Sequence, residues 1–322
     1  MIIDAHMHAD LLGFDEKKLM AYLDQNGIDQ CWLLTWDEAS PSIPERHQQL
    51  PIERVMELHD KHPDRIVPMY APDPNRPDAI EKLEYWCDRG VKGCAELKVE
   101  MGWENPKLDG LLDWLNAKGM SLTFHMEEGN TFYIPENDSS WDKRLSNWLR
   151  PTRFRGLSAK SLRAAGQVLP PLKRKINRLE RTFSGFLMDF EQLEKRLQQY
   201  PNIRFVGHGP FYWKGISADV YSQPETYPQG PITGEGPIGR LMKQYDNMYA
   251  DLSGMSGFYA INRDVTFTTE FLETHQSKIM FGTDNYDLGL MNFLETLSLS
   301  PETRRRIYGE NAKKLIHPFE SN

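Results

Sequence analysis

The sequence has little cysteine, no long apolar run and no surplus of positive charge, and each shortage excludes something. Cys31, Cys87 and Cys94 are the only 3 cysteines among 322 residues. An odd number without a Cys-x-x-Cys pair makes neither a disulfide framework nor a cysteine metal site. Their apolar or helical surroundings fit buried free thiols and a reducing cytoplasm. No segment approaches the roughly 18 consecutive apolar residues that a membrane-spanning helix needs. The first strand-like run starts at Ile2, leaving no room for a leader, so a cytoplasmic protein without membrane contact is expected. A net charge of −8 argues against a nucleic-acid binder.

What the chain does contain is alternation. Eight short β-like runs occur, at Ile2–His8, Gln30–Trp36, Ile66–Ala71, Val91–Lys98, Met120–Met126, Ile203–His208, Met248–Leu252 and Ile279–Asp284. Most are followed by helical spacing, as in Asp15–Asn26, Asp78–Arg89, Leu108–Lys118, Gly185–Tyr200 and Pro301–Leu315. Gly27, Gly90 and Gly119 stand just past three such stretches, where a helix stop is expected. Alternation predicts a parallel α/β sheet, and the count of eight predicts a closed (β/α)8 TIM barrel spanning 1–322 as a single domain. An open, doubly wound sheet is the alternative, because closure is invisible in a sequence.

In such a barrel the chemistry sits where strands end. Met1-Ile2-Ile3-Asp4-Ala5-His6-Met7-His8 runs from an apolar start into Asp-x-His-x-His. Period-two geometry puts His6 and His8 on one face, roughly 7 Å apart, with Asp4 behind them. Two neutral imidazoles so placed can converge on one metal ion. Lys98, His125, His208, Asp251 and Asp284 end later strands. A histidine closing an apolar run such as Ser121–His125 is costly to bury unless it is hydrogen-bonded or ligated. His47, His59, His62, His275 and His317 fall in helices or loops and read as surface residues.

Taken in order, Asp4-x-His6-x-His8, His125, Val206-Gly207-His208-Gly209, Phe281-Gly282-Thr283-Asp284 and Gly309-Glu310-Asn311-Ala312 resemble the amidohydrolase superfamily. The nearest likeness is its amidohydrolase-related branch, which includes aminocarboxymuconate-semialdehyde decarboxylase. It covers nearly the whole chain outside two insertions. The resemblance implies a barrel with one divalent metal, often zinc, ligands at His6, His8, His125 and Asp284, and His208 polarising water or substrate. Three imidazoles and one carboxylate also suit Zn²⁺, Co²⁺ or Mn²⁺ on chemical grounds. Asp284 would then be both ligand and proton acceptor, the alternative being a helix N-cap after strand eight. Asp4 reads as a carboxylate that orients an imidazole, the alternative being a buried structural acid. Glu96 and Lys98 share a face of strand four, so either can enter the rim. Lys98 reads as a substrate contact rather than a bridge between two metals.

The insertions bear on the substrate. In residues 129–183, 12 lysines and arginines stand between Lys143 and Arg181 against the single acid Glu180. This basic lobe is expected to gather an anionic small molecule or to pair with the acidic surface of a second subunit in a homodimer, the alternative being a solvated helical cap. The loop 209–236 follows His208 directly and carries Phe211 and Trp213, which are expected to form a pocket wall, the alternative being a packed surface loop. The expected activity is metal-dependent hydrolysis of an amide, lactone or ester. Non-oxidative decarboxylation of a small aromatic or unsaturated acid is the alternative on the same ligands, and a non-catalytic binding barrel is a third.

Overall fold

Strand-forming runs give ten strands among the described residues: β1 (Ile3–His8), β2 (Gln30–Leu34), β3 (Ile66–Pro68), β4 (Cys94–Leu97), β5 (Ser121–His125), β6 (Glu127–Tyr133), β7 (Glu180–Phe186), β8 (Arg204–His208), β9 (Met248–Asp251) and β10 (Ile279–Met280). The structure, a computed structural model, describes residues 1–37, 40–42, 49–133, 139–149, 164 and 168–316. It divides into two units. One takes in Met1–Glu38, Gln49–Glu128 and Phe186–Asn322, the other Ala39–Gln48 and Gly129–Gly185.

Eight strands of the first unit pair in parallel, as β1-β2-β3 and β10-β9-β8-β5-β4. Backbone hydrogen bonds span both gaps between these sheets. Lys92 N donates to Pro68 O and Tyr70 N to Gly93 O, each at 3.0 Å, joining β3 to the approach to β4. Ala5 N donates to Phe281 O at 2.9 Å and Asp284 N to His6 O at 2.7 Å, joining β1 to the segment after β10. The strands are therefore linked in a ring, with helices between them.

Nearly continuous burial along β1, β5 and β8 is what strands covered on both faces require. An inner cluster gathers Ile3, Ala5, Trp32, Val67, Val206, Tyr249 and Met280, while Leu19, Leu58, Leu112, Leu193 and Phe205 belong to a larger cluster shared with the helices. Local chemistry sets the helix ends. The Asp15 side chain accepts from Lys18 N at 2.8 Å, capping Glu16–Gln25, and Gly119 takes a left-handed φ of 61° after Asp109–Lys118.

Several elements differ from expectation. The helix expected from Gly185 begins at Phe190, because Glu180–Phe186 pairs with β6 in a two-stranded sheet. Helical spacing in Leu187–Leu197 hid an adjoining strand. In the 209–236 loop, Pro210–Lys214 forms a short helix with proline in its first turn. Gly254–Asn262 and Leu290–Thr296 are further helices. Pro301–Leu315 is not one α-helix: a π turn, Arg306–Glu310, separates Pro301–Arg305 from Asn311–Ile316. His275 is buried, its ring 4.8 Å from that of Phe271, rather than at the surface. His47, His317 and the basic residues of 150–163 lie outside the described residues. Among the described residues no helix is long and apolar enough to cross a membrane.

Gly207 shows how the short helix is seated. A Cβ at this position of β8 would collide with the ring of Tyr212, which is itself fully buried. Gly207→Ala is expected to destabilise the protein by about 1–3 kcal/mol through overpacking. A lower urea midpoint with an unchanged slope would show it.

Candidate metal centre

The centre lies at the C-terminal ends of β1, β4, β5, β8 and β9 and just after β10. His6 and His8 do share a face, with their Nε2 atoms 3.2 Å apart. Asp4 does not join them. The β1–β2 register shifts between Asp4 and Met7, and this irregularity changes the phase of the strand. Ile3 and Ala5 fall in the inner cluster and Met7 in the outer one. Asp4 instead accepts from Thr283 Oγ1 at 2.6 Å, Thr283 N at 3.0 Å and His6 N at 3.2 Å. Burial, opposed by these bonds, lifts its carboxyl to about 7. Asp4 is thus a structural acid tying β1 to the segment after β10, and orients no imidazole.

That task falls to Asp251. The strand-end pattern reaches this residue but assigns it no contact. Its Oδ2 accepts from His6 Nδ1 and its Oδ1 from His208 Nδ1, both at 3.0 Å. Ser253 adds its N–H at 3.1 Å and its hydroxyl to Oδ1. Burial opposes ionisation of Asp251, yet His6 and His208 hold it far below the usual carboxylate range. His8 is fixed differently, with Nδ1 2.9 Å from Leu34 O. In all three rings Nδ1 is engaged and Nε2 is left facing the centre, as metal-binding imidazoles require.

Two carboxylates complete the cluster. Glu96, expected at the substrate rim, is buried within it: Oε2 lies 3.6 Å from His8 Nε2 and 4.0 Å from His6 Nε2. Its Oε1 lies 2.7 Å from His125 Nδ1 and 3.9 Å from His208 Nε2. Asp284 Oδ1 sits 3.3 Å from His8 Nε2 and 4.0 Å from His6 Nε2, and Oδ2 is 3.9 Å from His208 Nε2. The sets His6–His8–Glu96, His6–His208–Asp284 and Glu96–His125–His208 each bring their ligand atoms within 4.8 Å of one another. His125 is therefore grouped with Glu96 and His208, and its Nε2 is 3.3 Å from Glu127.

The surrounding charges shift the cluster's protonation. Burial favours neutral carboxyls, but Lys98 and His125 hold Glu96 well below its ordinary range. Asp284 is likewise lowered against burial, chiefly by His8 and His6. Burial and the charge of His208 lower His6. Burial also disfavours charge on His208, but Asp251, Glu96 and Asp284 prevail and raise it to about 9.

Backbone geometry places Asp284. It and Asn285 adopt left-handed φ values of 53° and 60°, which Asp and Asn tolerate better than most residues. Asn285 Oδ1 accepts from His8 N at 2.7 Å and its Nδ2 donates to His8 O at 2.8 Å, clamping the end of β1. Gly254 (φ 70°) leaves room here, since a Cβ would lie 3.0 Å from Asp284 Oδ2 and 3.5 Å from His208 Cε1.

Around the cluster, Lys98 is half-buried with Nζ 4.4 Å from the Trp36 ring centroid and 5.9 Å from that of Phe186. Trp36 in turn contacts the His8 ring at 4.6 Å. Phe211 and Trp213 form no pocket wall. Phe211 packs on Phe190 at 5.5 Å, and Trp213 Nε1 donates to Asp251 O at 2.9 Å. From the same loop it is Tyr227 that nears the site. Burial together with Glu127, Tyr286 and Asp284 pushes its phenol up to about 12.

A ring of parallel strands with imidazoles and carboxylates gathered at their C-terminal ends defines a metal-dependent barrel enzyme. The chain belongs to the amidohydrolase family, whose profile matches residues 3–317. No curated protein matches the sequence. Among solved structures, an uncharacterized TIM-barrel protein from Bordetella bronchiseptica is similar at TM-score 0.59 and 12% identity, covering 98% of this chain and 97% of that one. A probable 2-pyrone-4,6-dicarboxylic acid hydrolase from Acinetobacter baumannii, with citric acid bound, gives 0.54 and 12%, covering 98% of each chain. A dihydroxybenzoic acid decarboxylase from Polaromonas sp. JS666, with manganese and 2-nitroresorcinol bound, gives 0.54 and 16%, covering 98% and 96%. These likenesses establish the TIM-barrel fold.

The donors fit a divalent ion of the Zn²⁺, Mn²⁺ or Co²⁺ kind, with imidazole nitrogens correctly presented and carboxylates beside them. Asp251→Asn is expected to weaken metal binding about 10–100-fold, as loss of an orienting carboxylate does elsewhere. Asp4→Asn, by contrast, is expected to lower the melting temperature and leave metal affinity unchanged. Chelator competition and thermal melts on both variants separate the two roles.

Proposed function

We propose that this protein is a metal-dependent hydrolase of a small ring compound carrying a carboxylate, with a lactone, amide or ester as the cleaved bond. The observation that carries the reading is Asp284. Its side chain is 18% exposed, against 3% or less for His6, His8, Glu96 and His208, so it is the cluster member that an incoming water and substrate meet. Imidazole nitrogens of His6, His8 and His208 stand around its two oxygens and keep it ionised, the form in which a carboxylate takes a proton.

His6, His8, Glu96 and Asp284 would hold the ion, which supplies Lewis acidity to the carbonyl and lowers the pKa of water. Asp284 takes the proton of the attacking water and passes it to the leaving oxygen or nitrogen. His208, anchored by Asp251, borders the space that the carbonyl oxygen enters. Lys98 forms no hydrogen bond or salt bridge among the described residues, so its ammonium is available to a substrate carboxylate between Trp36 and Phe186. Tyr227 supplies an aromatic wall. Cys31, Cys87 and Cys94 are free thiols, and a cytoplasmic setting belongs to the proposal.

Non-oxidative decarboxylation is a second reading, favoured by Lys98 and by similarity to structures such as the dihydroxybenzoic acid decarboxylase. In that reaction the bond from ring carbon to carboxylate breaks and CO₂ leaves. The ring carbon keeps the electron pair and takes a proton delivered by Asp284. A panel of carboxylated lactones and carboxylated phenols, assayed for ring opening and for CO₂ release, decides between them. Ring opening without CO₂ is expected, and CO₂ release alone overturns the hydrolase. With the active substrate, Lys98→Met is expected to raise KM about 10–100-fold and to change kcat little, the loss of one charge-assisted contact.

A further inference from the structure

We infer that the groove between helices Pro237–Gln244 and Val265–Thr274 is a second binding site, one that takes a small primary amine with an aromatic or similarly apolar body. Its residues take no part in the metal centre, so the inference does not depend on the proposed hydrolase. One wall is a strip of rings. Phe267, Phe271 and His275 recur at every fourth position, which places them on one face of the second helix and its C-terminal cap. Their ring centroids follow one another at 6.1 Å and 4.8 Å, and the two phenyl planes lie within 19° of parallel. Glu270 and Thr274, also four apart, run beside the strip, and Glu235 and Lys243 supply the rest of the lining. The space enclosed is about 160 Å³. A cavity of roughly 150 Å³ is enough to admit a benzene ring.

His275 distinguishes this groove from an ordinary surface crease. It is 4% exposed, and its ring nitrogens have no hydrogen-bond partner among the described residues. A polar ring is costly to bury in that condition, and a ligand that bonds to it removes the cost. Burial, reinforced by the charge of Lys243, lowers its pKa to about 4. At neutral pH the ring is therefore uncharged and offers a lone pair. The surrounding charges then select the ligand. Lys243 is held by Glu235 Oε1 at 2.6 Å, which leaves it a poor anchor for an anion. Glu270 has no ion-pair partner among the described residues, so the groove keeps one uncompensated negative charge. Spacing excludes a metal ion, since no three His, Cys, Asp or Glu ligand atoms among the described residues of this groove lie within 4.8 Å of one another. An ammonium that pairs with Glu270 and donates to His275 meets all these conditions. Its apolar body lies on Phe267 and Phe271, whose ring faces also attract a cation.

The test is a calorimetric titration of the metal-loaded protein with benzylamine, and in parallel with benzyl alcohol, which has the same shape without the charge. Benzylamine is expected to bind one per chain with Kd about 0.1–1 mM, at least about fivefold more tightly than benzyl alcohol. Glu270→Gln, at an exposed position, is expected to weaken benzylamine about 3–5-fold, and His275→Phe about 3–10-fold. The double variant is expected to lose the preference for the amine over the alcohol. If His275→Phe does not fold, Glu270→Gln and the comparison with benzyl alcohol decide the matter. Absence of benzylamine binding below about 10 mM overturns the inference. Equal affinity for amine and alcohol removes the ammonium site. Benzylamine binding that is unchanged in both single variants lies elsewhere on the protein and would falsify the assignment of this groove. Each of these failures leaves the metal centre and the proposed hydrolase standing.

Discussion

Asp251 holds two imidazoles on one carboxylate, and the arrangement of the centre depends on that sharing. With His6 Nδ1 on Oδ2 and His208 Nδ1 on Oδ1, both rings are locked in orientation and both Nε2 atoms are turned inward. The carboxylate is in turn held by Ser253 and its peptide carbonyl by Trp213 Nε1, so β9 is stiffened where it meets the site. The aromatic residue after β8 therefore serves the chemistry from behind, through a backbone it never leaves. Residues that look like pocket lining in a sequence can be struts.

The rim also holds local strain against a dense set of bonds. Asp284 and Asn285 occupy left-handed conformations, each costing about 1 kcal/mol or more, and such conformations persist where the surroundings over-determine them. Here the over-determination is visible. Asn285 clips both backbone groups of His8, and Asp284 N reaches His6 O at 2.7 Å. The first and last strands are thereby fastened at the point where they supply ligands, which sets the Asp284 carboxylate against the His6–His8 pair.

Much of this was legible in the chain. Strand–helix alternation, glycine stops and histidines ending apolar runs locate all eight parallel strands and the rim itself, because burial and backbone hydrogen bonding impose those patterns locally. What escaped depends on phase or on distant partners. Glu96 and Lys98 look equivalent by period two, yet Glu96 turns into the cluster and Lys98 stops between two aromatic rings. Asp4 and Asp251 are both acids on apolar strands, and only long-range packing shows which one meets an imidazole. The β6–β7 ribbon was lost because its second strand abuts a strongly amphipathic helix. The choice among Phe211, Trp213 and Tyr227 lies in the path of a loop, which periodicity does not describe.

The irregularity in β1 separates two jobs that a regular strand would force together. In an even zigzag, every residue of Ile3–His8 is committed to one of two faces by its neighbours, so altering the fit at the floor of the barrel would rotate the ligands at its mouth. A phase change between Asp4 and Met7 breaks that linkage. The floor, built from Ile3 and Ala5, can be recut for a wider or narrower barrel while His6 and His8 keep their aim. The first strand behaves as two short parts joined by a coupling, one an anchor and the other a tool holder.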